Sequence, residues 1–135
     1  MNRKLILHVE DNAHLRWLVT EILEFEGYEV VGTENGLEGV ALAHDGHPHL
    51  ILMDIQLPGI SGLEAASRIK SAPELATVPI IAVTAGSDQS QRDHFLSSGF
   101  AACLFKPFDA ADLLSLVHQF IGQSEVDASS AAESG

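Results

Sequence analysis

The stretch from His49 to Gly62, HLILMDIQLPGISG, runs four apolar residues, Leu50 to Met53, directly into a carboxylate, Asp54, and then into Pro58, Gly59 and Gly62. A short, nearly continuous apolar run predicts a strand buried on both faces of a parallel sheet, because a strand with one wet face alternates apolar and polar residues. Four more such runs lie along the chain: LILHV at 5–9, EVVGT at 29–33, VPIIAVT at 78–84 and AACLF at 101–105. Each leads into a polar turn and a longer segment with helical spacing. The repeated unit is βα, and the predicted class is α/β: a doubly wound, five-stranded parallel sheet with helices on both faces.

Helix boundaries follow from capping chemistry. Asn35 with Glu38, Ser61 with Glu64 and Asp88 with Gln91 each set a capping side chain three residues before an acid or amide, which predicts helix starts there. In the first helix Leu15, Leu18, Val19, Ile22 and Glu26 form a stripe, most of which can face the sheet, and Gly27 can end it. The last helix is predicted from Asp109 to about Ile121. Residues 1–122 therefore read as one domain, and 123–135, small, polar and acidic, as a disordered tail.

Composition removes several function classes. A chain of 135 residues holds one compact domain with a sizeable core, and no apolar run is long enough to span a bilayer. The opening MNRKLILHVED lacks the long apolar region of a secretory signal, so a cytoplasmic location is expected. Cys103 is the single cysteine, which rules out an internal disulfide and any zinc site built from several cysteines. A formal charge of −12 disfavours direct binding to nucleic acid or to anionic membranes.

Parallel strands end on one edge of their sheet, and doubly wound folds bind ligands there. At those ends the chain has Glu10 and Asp11, Asp54, Thr84 and Lys106. Clustered carboxylates repel one another unless a cation sits among them, and an all-oxygen set suits Mg²⁺. Lys106 contributes a point positive charge and Thr84 a neutral hydroxyl donor, so the edge reads as a socket for a phosphoryl group. An aspartate can attack phosphorus to form an acyl phosphate, and Asp54 is the expected nucleophile.

With VED at 9–11, LILMDIQLPGISG at 50–62, VTA at 83–85 and KPF at 106–108 in this order, the chain resembles the receiver domain of bacterial two-component response regulators, over roughly Lys4 to Gly122. The resemblance implies the flavodoxin-like (βα)5 receiver fold, nearest to the stand-alone receivers of chemotaxis and cell-cycle phosphorelays. It implies that Asp54 accepts phosphate from a histidine kinase or histidine phosphotransfer protein. Mg²⁺ would be held by Asp11, Asp54 and the backbone carbonyl of Gln56, with Glu10 acting through water. Lys106 would pair with Asp54 and then with the phosphate, Thr84 would move toward the phosphoryl oxygen, Ala85 would leave that oxygen accessible, and Pro107 would follow a cis peptide. The protein would be a signalling domain, catalysing only its own phosphorylation and dephosphorylation. It is expected as a monomer that reaches its target through the fourth helix, fifth strand and fifth helix.

One departure concerns the residue three before the lysine. Receivers usually have Tyr or Phe there, whereas this chain has Cys103, with Phe105 two positions on and on the same side of the strand. Coupling through an inward-swinging aromatic ring is therefore not expected, and Cys103 reads as a packing residue. His44, His47 and His49 read as incidental loop histidines, His8 as a hydrogen-bonded core residue, and Trp17 as an exposed aromatic able to anchor a partner or to half-bury against a neighbouring helix. Two other classes fit the layering: a Mg²⁺-holding binding module that never takes up phosphate, and a flavodoxin-like cofactor protein or small nucleotide hydrolase. The second lacks a Gly-rich phosphate loop.

Overall fold

The computed structural model describes residues 3–86 and 89–122. Five strands, β1 (Leu5–Val9), β2 (Glu29–Thr33), β3 (Leu50–Asp54), β4 (Ile80–Thr84) and β5 (Ala102–Phe105), alternate with α1 (Ala13–Phe25), α2 (Gly36–Gly46), α3 (Gly62–Lys70), α4 (Gln89–Ser97) and α5 (Ala110–Ile121). A short 3₁₀ turn, Pro73–Leu75, precedes β4. All pairings are parallel and the order is β2-β1-β3-β4-β5, so the chain reverses its direction of winding between β1 and β3. The predicted five-stranded, doubly wound sheet is the observed one.

Period-two alternation along the strands divides the core. Leu7, Val9, Ile51, Met53, Ile80 and Ala82 point to one face, where residues of α2, α3 and α4 close over them. Ile6, Leu50, Leu52, Ile81, Val83 and Leu104 point to the other, under Val19 and Leu23 of α1 and Leu113 and Val117 of α5. Residues 50–54 are buried throughout, as their unbroken apolar run predicts. Burying each large aliphatic here contributes about 1.5–3 kcal/mol.

Local chemistry sets most boundaries. Asn35 Oδ1 accepts from the Glu38 amide at 2.8 Å and Ser61 Oγ from the Glu64 amide at 3.2 Å, at the predicted helix starts. The reciprocal half of those boxes is not made: Glu38 takes the Thr33 hydroxyl and Glu64 takes Arg68. The full box belongs to Asp109 and Asp112 at the start of α5. The predicted cap at Asp88 lies outside the described residues. Asn12, not anticipated as a cap, caps α1 through the Leu15 amide at 2.9 Å. Gly27, at φ 97°, follows the end of α1 as expected. The α1 stripe is rotated slightly from the prediction. Val19 and Leu23 are buried, whereas Leu18 is 40% exposed; α1 lies against β2, the edge strand of the sheet.

Gly62 brings α3 against the end of β3. A Cβ at this position would stand 2.2 Å from the Asp54 carbonyl oxygen and 2.8 Å from Ile55 Cα, both backbone atoms that cannot swing aside. In an ordinary helix interior, Gly→Ala is stabilising by about 1 kcal/mol. Here the expected sign is reversed: Gly62→Ala destabilises by about 1–3 kcal/mol, as overpacking against fixed atoms does, and urea unfolding of the two proteins measures it.

Candidate functional site

The site is built on the carboxyl edge of the sheet, around the reversal between β1 and β3. Asp54 ends β3 with its side chain 5% exposed. Its Oδ1 accepts from the Gln56 amide at 3.0 Å, while Oδ2 lies 3.3 Å from Lys106 Nζ. Lys106 follows β5, and its own amide donates to the Thr84 carbonyl at 2.7 Å, tying the lysine backbone to the end of β4. The peptide between Lys106 and Pro107 is cis.

Glu10 and Asp11 follow β1. Glu10 is fully buried, and its amide donates to the Thr33 carbonyl at 2.9 Å, which carries the β1–β2 register one residue past the strand. Glu10 Oε2 accepts from the Asn12 amide at 3.1 Å, and Oε1 lies 2.9 Å from Lys106 Nζ. That second contact is ionic, without the direction of a hydrogen bond. Asp11 is exposed, and carboxylate oxygens of Glu10, Asp11 and Asp54 all lie within 4.8 Å of one another. Such a crowded set of hard oxygen donors, two of its members stripped of water, fits a divalent cation such as Mg²⁺.

The structure thus brings together Glu10, Asp11, Asp54 and Lys106, as the sequence predicts. Glu10, expected to act largely through water, is in addition the nearer counter-ion of Lys106. Thr84 ends β4 and is buried, its hydroxyl accepting from the Gly86 amide at 3.4 Å. Two residues went unnoticed in the sequence: Asn12, which braces Glu10 and caps α1, and Arg16, whose Nη1 donates to the Glu10 carbonyl at 2.6 Å. The N-cap preference of Asn just before a helix could have revealed the first. Nothing in the local sequence marks the second, since Arg16 reaches the loop by folding back from the first turn of a helix.

The charges influence one another. Burial raises the Glu10 carboxyl above its ordinary value, and the Asp54 charge adds to this, against the Lys106 ammonium and the Asn12 amide. For Lys106, burial favours loss of the proton, but Glu10 and Asp54 outweigh it and raise the ammonium above its usual value. His8 in β1 is 1% exposed and pushed down to about 3, first by burial and then by the positive Lys106 and Arg16. It was expected to be hydrogen-bonded, yet its Nδ1 has no partner among the described residues. Burial also raises the Cys103 thiol, Arg92 opposing, in keeping with a packing role.

The three histidines near position 47 do not share one loop. His44 lies in α2 with Nδ1 3.9 Å from Glu74, His47 caps that helix, and His49 Nδ1 accepts from the Leu5 amide at 3.0 Å. Trp17 is 57% exposed and stacks on His14.

A pH dependence follows from Glu10. Because its folded value is raised above the ordinary 4.5, the folded protein retains a proton that the unfolded chain has released, so this carboxyl's contribution to stability is full below 4.5 and is lost as pH rises through the raised value. In chelator, the stability of the native protein relative to Glu10→Gln is therefore expected to fall as pH rises from 4.5 toward neutrality. Denaturation midpoints at stepped pH measure it, and other carboxylates common to both proteins cancel in the difference.

The chain is similar to known proteins. The family model for the response regulator receiver domain matches residues 6–118. The polar-differentiation response regulator DivK of Brucella ovis is 37% identical over 121 residues, covering 90% of this chain and 98% of the relative. Among solved structures, the receiver domain of the sensor histidine kinase PA1611 from Pseudomonas aeruginosa, with a magnesium ion coordinated in its active-site cleft, matches with a TM-score of 0.82 and 34% identity, over 90% of this chain and 100% of that one. The chemotaxis response regulator CheY4 of Vibrio cholerae shares the fold, with a TM-score of 0.85 and 24% identity over 89% of this chain and 100% of its own. A match across the whole sheet, joined to relatives aligned along nearly their full length, leaves one assignment: the chain belongs to the response regulator receiver domains of two-component systems.

Proposed function

We propose that the protein is a phosphorylation-driven switch that takes a phosphoryl group from phosphohistidine onto Asp54. The observation that carries this reading is the meeting of Asp54, Lys106, Glu10 and Asp11 at one sheet edge, with Lys106 Nζ 3.3 Å from Asp54 Oδ2. One Asp54 carboxylate oxygen attacks phosphorus in line, and the P–O bond forms as the P–N bond to the donor imidazole breaks; the donor reacts with its other ring nitrogen protonated, so that neutral imidazole leaves. Mg²⁺, held by Asp11, Asp54 and the Gln56 carbonyl with Glu10 acting through water, would neutralise charge on the transferred oxygens. Lys106 is drawn from Glu10 and Asp54 toward the new phosphate. The buried hydroxyl of Thr84 gives up the Gly86 amide to donate to a phosphoryl oxygen, past exposed Ala85. A dianion that makes these contacts in only one arrangement of the β4–α4 and β5 segments shifts the population toward it.

The donor is a histidine kinase or histidine phosphotransfer protein, for which Trp17 and Leu18, exposed on α1, offer apolar anchorage. The output surface is α4, β5 and α5. No aromatic ring stands at Cys103 to report the motion of Thr84 there; Cys103 is buried, and Arg92, Phe105 and Asp112 share with it the lining of a shallow hollow on that face. Phosphorylation and hydrolysis of Asp54 are the protein's own chemistry, with no other substrate turned over. It acts as a cytoplasmic monomer. Among the described residues no helix is long and apolar enough to cross a membrane.

Incubation with a small phosphodonor and Mg²⁺, followed by intact-mass measurement, is expected to give one labile phosphate on the native protein and none on Asp54→Asn or in chelator. An unmodified native protein under all these conditions leaves the binding-module reading in its place.

A further inference from the structure

β2 carries a glycine, Gly32, in register with His8 of β1, although glycine weakens a strand and packs nothing. The structure gives the reason. A Cβ on Gly32 would stand 3.1 Å from both Cγ and Cδ of Arg16, tighter than ordinary contact, so the arginine stem lies in the space a side chain would fill. From that seat its Nη1 reaches the Glu10 carbonyl at 2.6 Å, a short charge-assisted hydrogen bond.

That carbonyl belongs to the peptide joining Glu10 to Asp11, the two acids contributed by one loop. The Glu10 amide is held by the Thr33 carbonyl at 2.9 Å, and the Arg16 amide donates to the Asn12 carbonyl at 2.9 Å. The loop is therefore fixed on its strand side by β2, at its helix side by the first turn of α1, and in the middle by the arginine. Without the last bond the Glu10–Asp11 peptide plane can rotate, and repulsion among carboxylates held within 4.8 Å of one another favours rotation that swings Asp11 outward.

We propose that Arg16 is a positioning residue, seated on Gly32, that sets the Glu10–Asp11 peptide plane and so presents Asp11 to the divalent cation. The inference rests on the proposed function, in that the ligand is Mg²⁺. Charge and position here act in opposite directions. Removing a nearby positive charge by itself tightens cation binding, whereas losing the clamp weakens it, so the sign of the change distinguishes the two.

Calorimetric titration of the metal-free protein with Mg²⁺ is the test. Arg16→Met, which keeps the stem but not the donor or the charge, is expected to bind about tenfold more weakly, the usual scale for losing a group that orients a ligand. Arg16→Lys, which keeps a charged donor, restores most of the affinity. Gly32→Val leaves Arg16 intact and improves strand propensity, yet evicts the stem, and it too weakens binding. Hydrogen exchange without metal gives a second readout: the amides of residues 11–13 exchange about tenfold faster in Arg16→Met and Gly32→Val, with α5 unchanged. Tighter or equal Mg²⁺ binding by a folded Arg16→Met, or unchanged exchange in both variants, overturns the proposal; if Arg16→Met does not fold, Gly32→Val decides. A native protein that binds no Mg²⁺ overturns the cation reading instead, and the exchange comparison then judges the clamp alone.

Discussion

Carboxylate oxygens of Glu10, Asp11 and Asp54 are held within 4.8 Å of one another at the edge of a sheet whose strands cannot yield. Their repulsion is the constraint to which the rest of the structure answers. Ordinarily such groups would splay into water, where separation costs little. Here Asp54 ends a strand buried from its first residue to its last, and Glu10 sits one residue past another, still in register with β2. Moving Asp54 away from Glu10 would require breaking the sheet, so their repulsion is met with Lys106 and with directed donors. Lys106 lies between Glu10 and Asp54, the Gln56 and Asn12 amides each take one oxygen, and Arg16 holds the backbone that joins Glu10 to Asp11.

This arrangement stores readiness for chemistry. Lys106 has two partners, and its raised affinity for its proton arises from both of them outweighing burial. Neither contact is an isolated, saturated pair, so in the proposed function an incoming phosphoryl group would compete for the ammonium on favourable terms. Glu10 adds to the same effect from the other side, since a buried carboxyl with a raised value gains from any further positive charge nearby. A neutral His8 beneath this layer adds no positive charge of its own to the cation-facing edge.

The one departure from the family pattern noted in the sequence, Cys103, lies on β5, whereas the acids follow β1 and end β3. Cys103, small and buried on β5, leaves a hollow rimmed by Arg92 and Asp112 where a ring is usual, while Phe105 packs two residues further on against the same core cluster. The acid edge depends on backbone geometry at four strand ends, which a change in one β5 side chain does not disturb. The two regions can vary separately because they are held by different elements: the acids by β1 and β3, the hollow by α4, β5 and α5.

Much was legible in the chain itself. Unbroken apolar runs determined which segments become doubly buried strands, because burial on two faces admits no alternation, and capping side chains at Asn35, Ser61 and Asp109 determined where helices begin. The residues at the strand ends, Glu10, Asp11, Asp54, Thr84 and Lys106, could likewise be named, since parallel strands bring their carboxyl ends to one edge. Tertiary structure decided what depends on distances between segments remote in sequence. Which acid lies nearer Lys106, how α1 is rotated over the sheet, and that Arg16 folds back across Gly32 to grip the Glu10 carbonyl follow from how closely elements pack. No local pattern encodes these contacts, because each partner is chosen by the space that a neighbouring element leaves open.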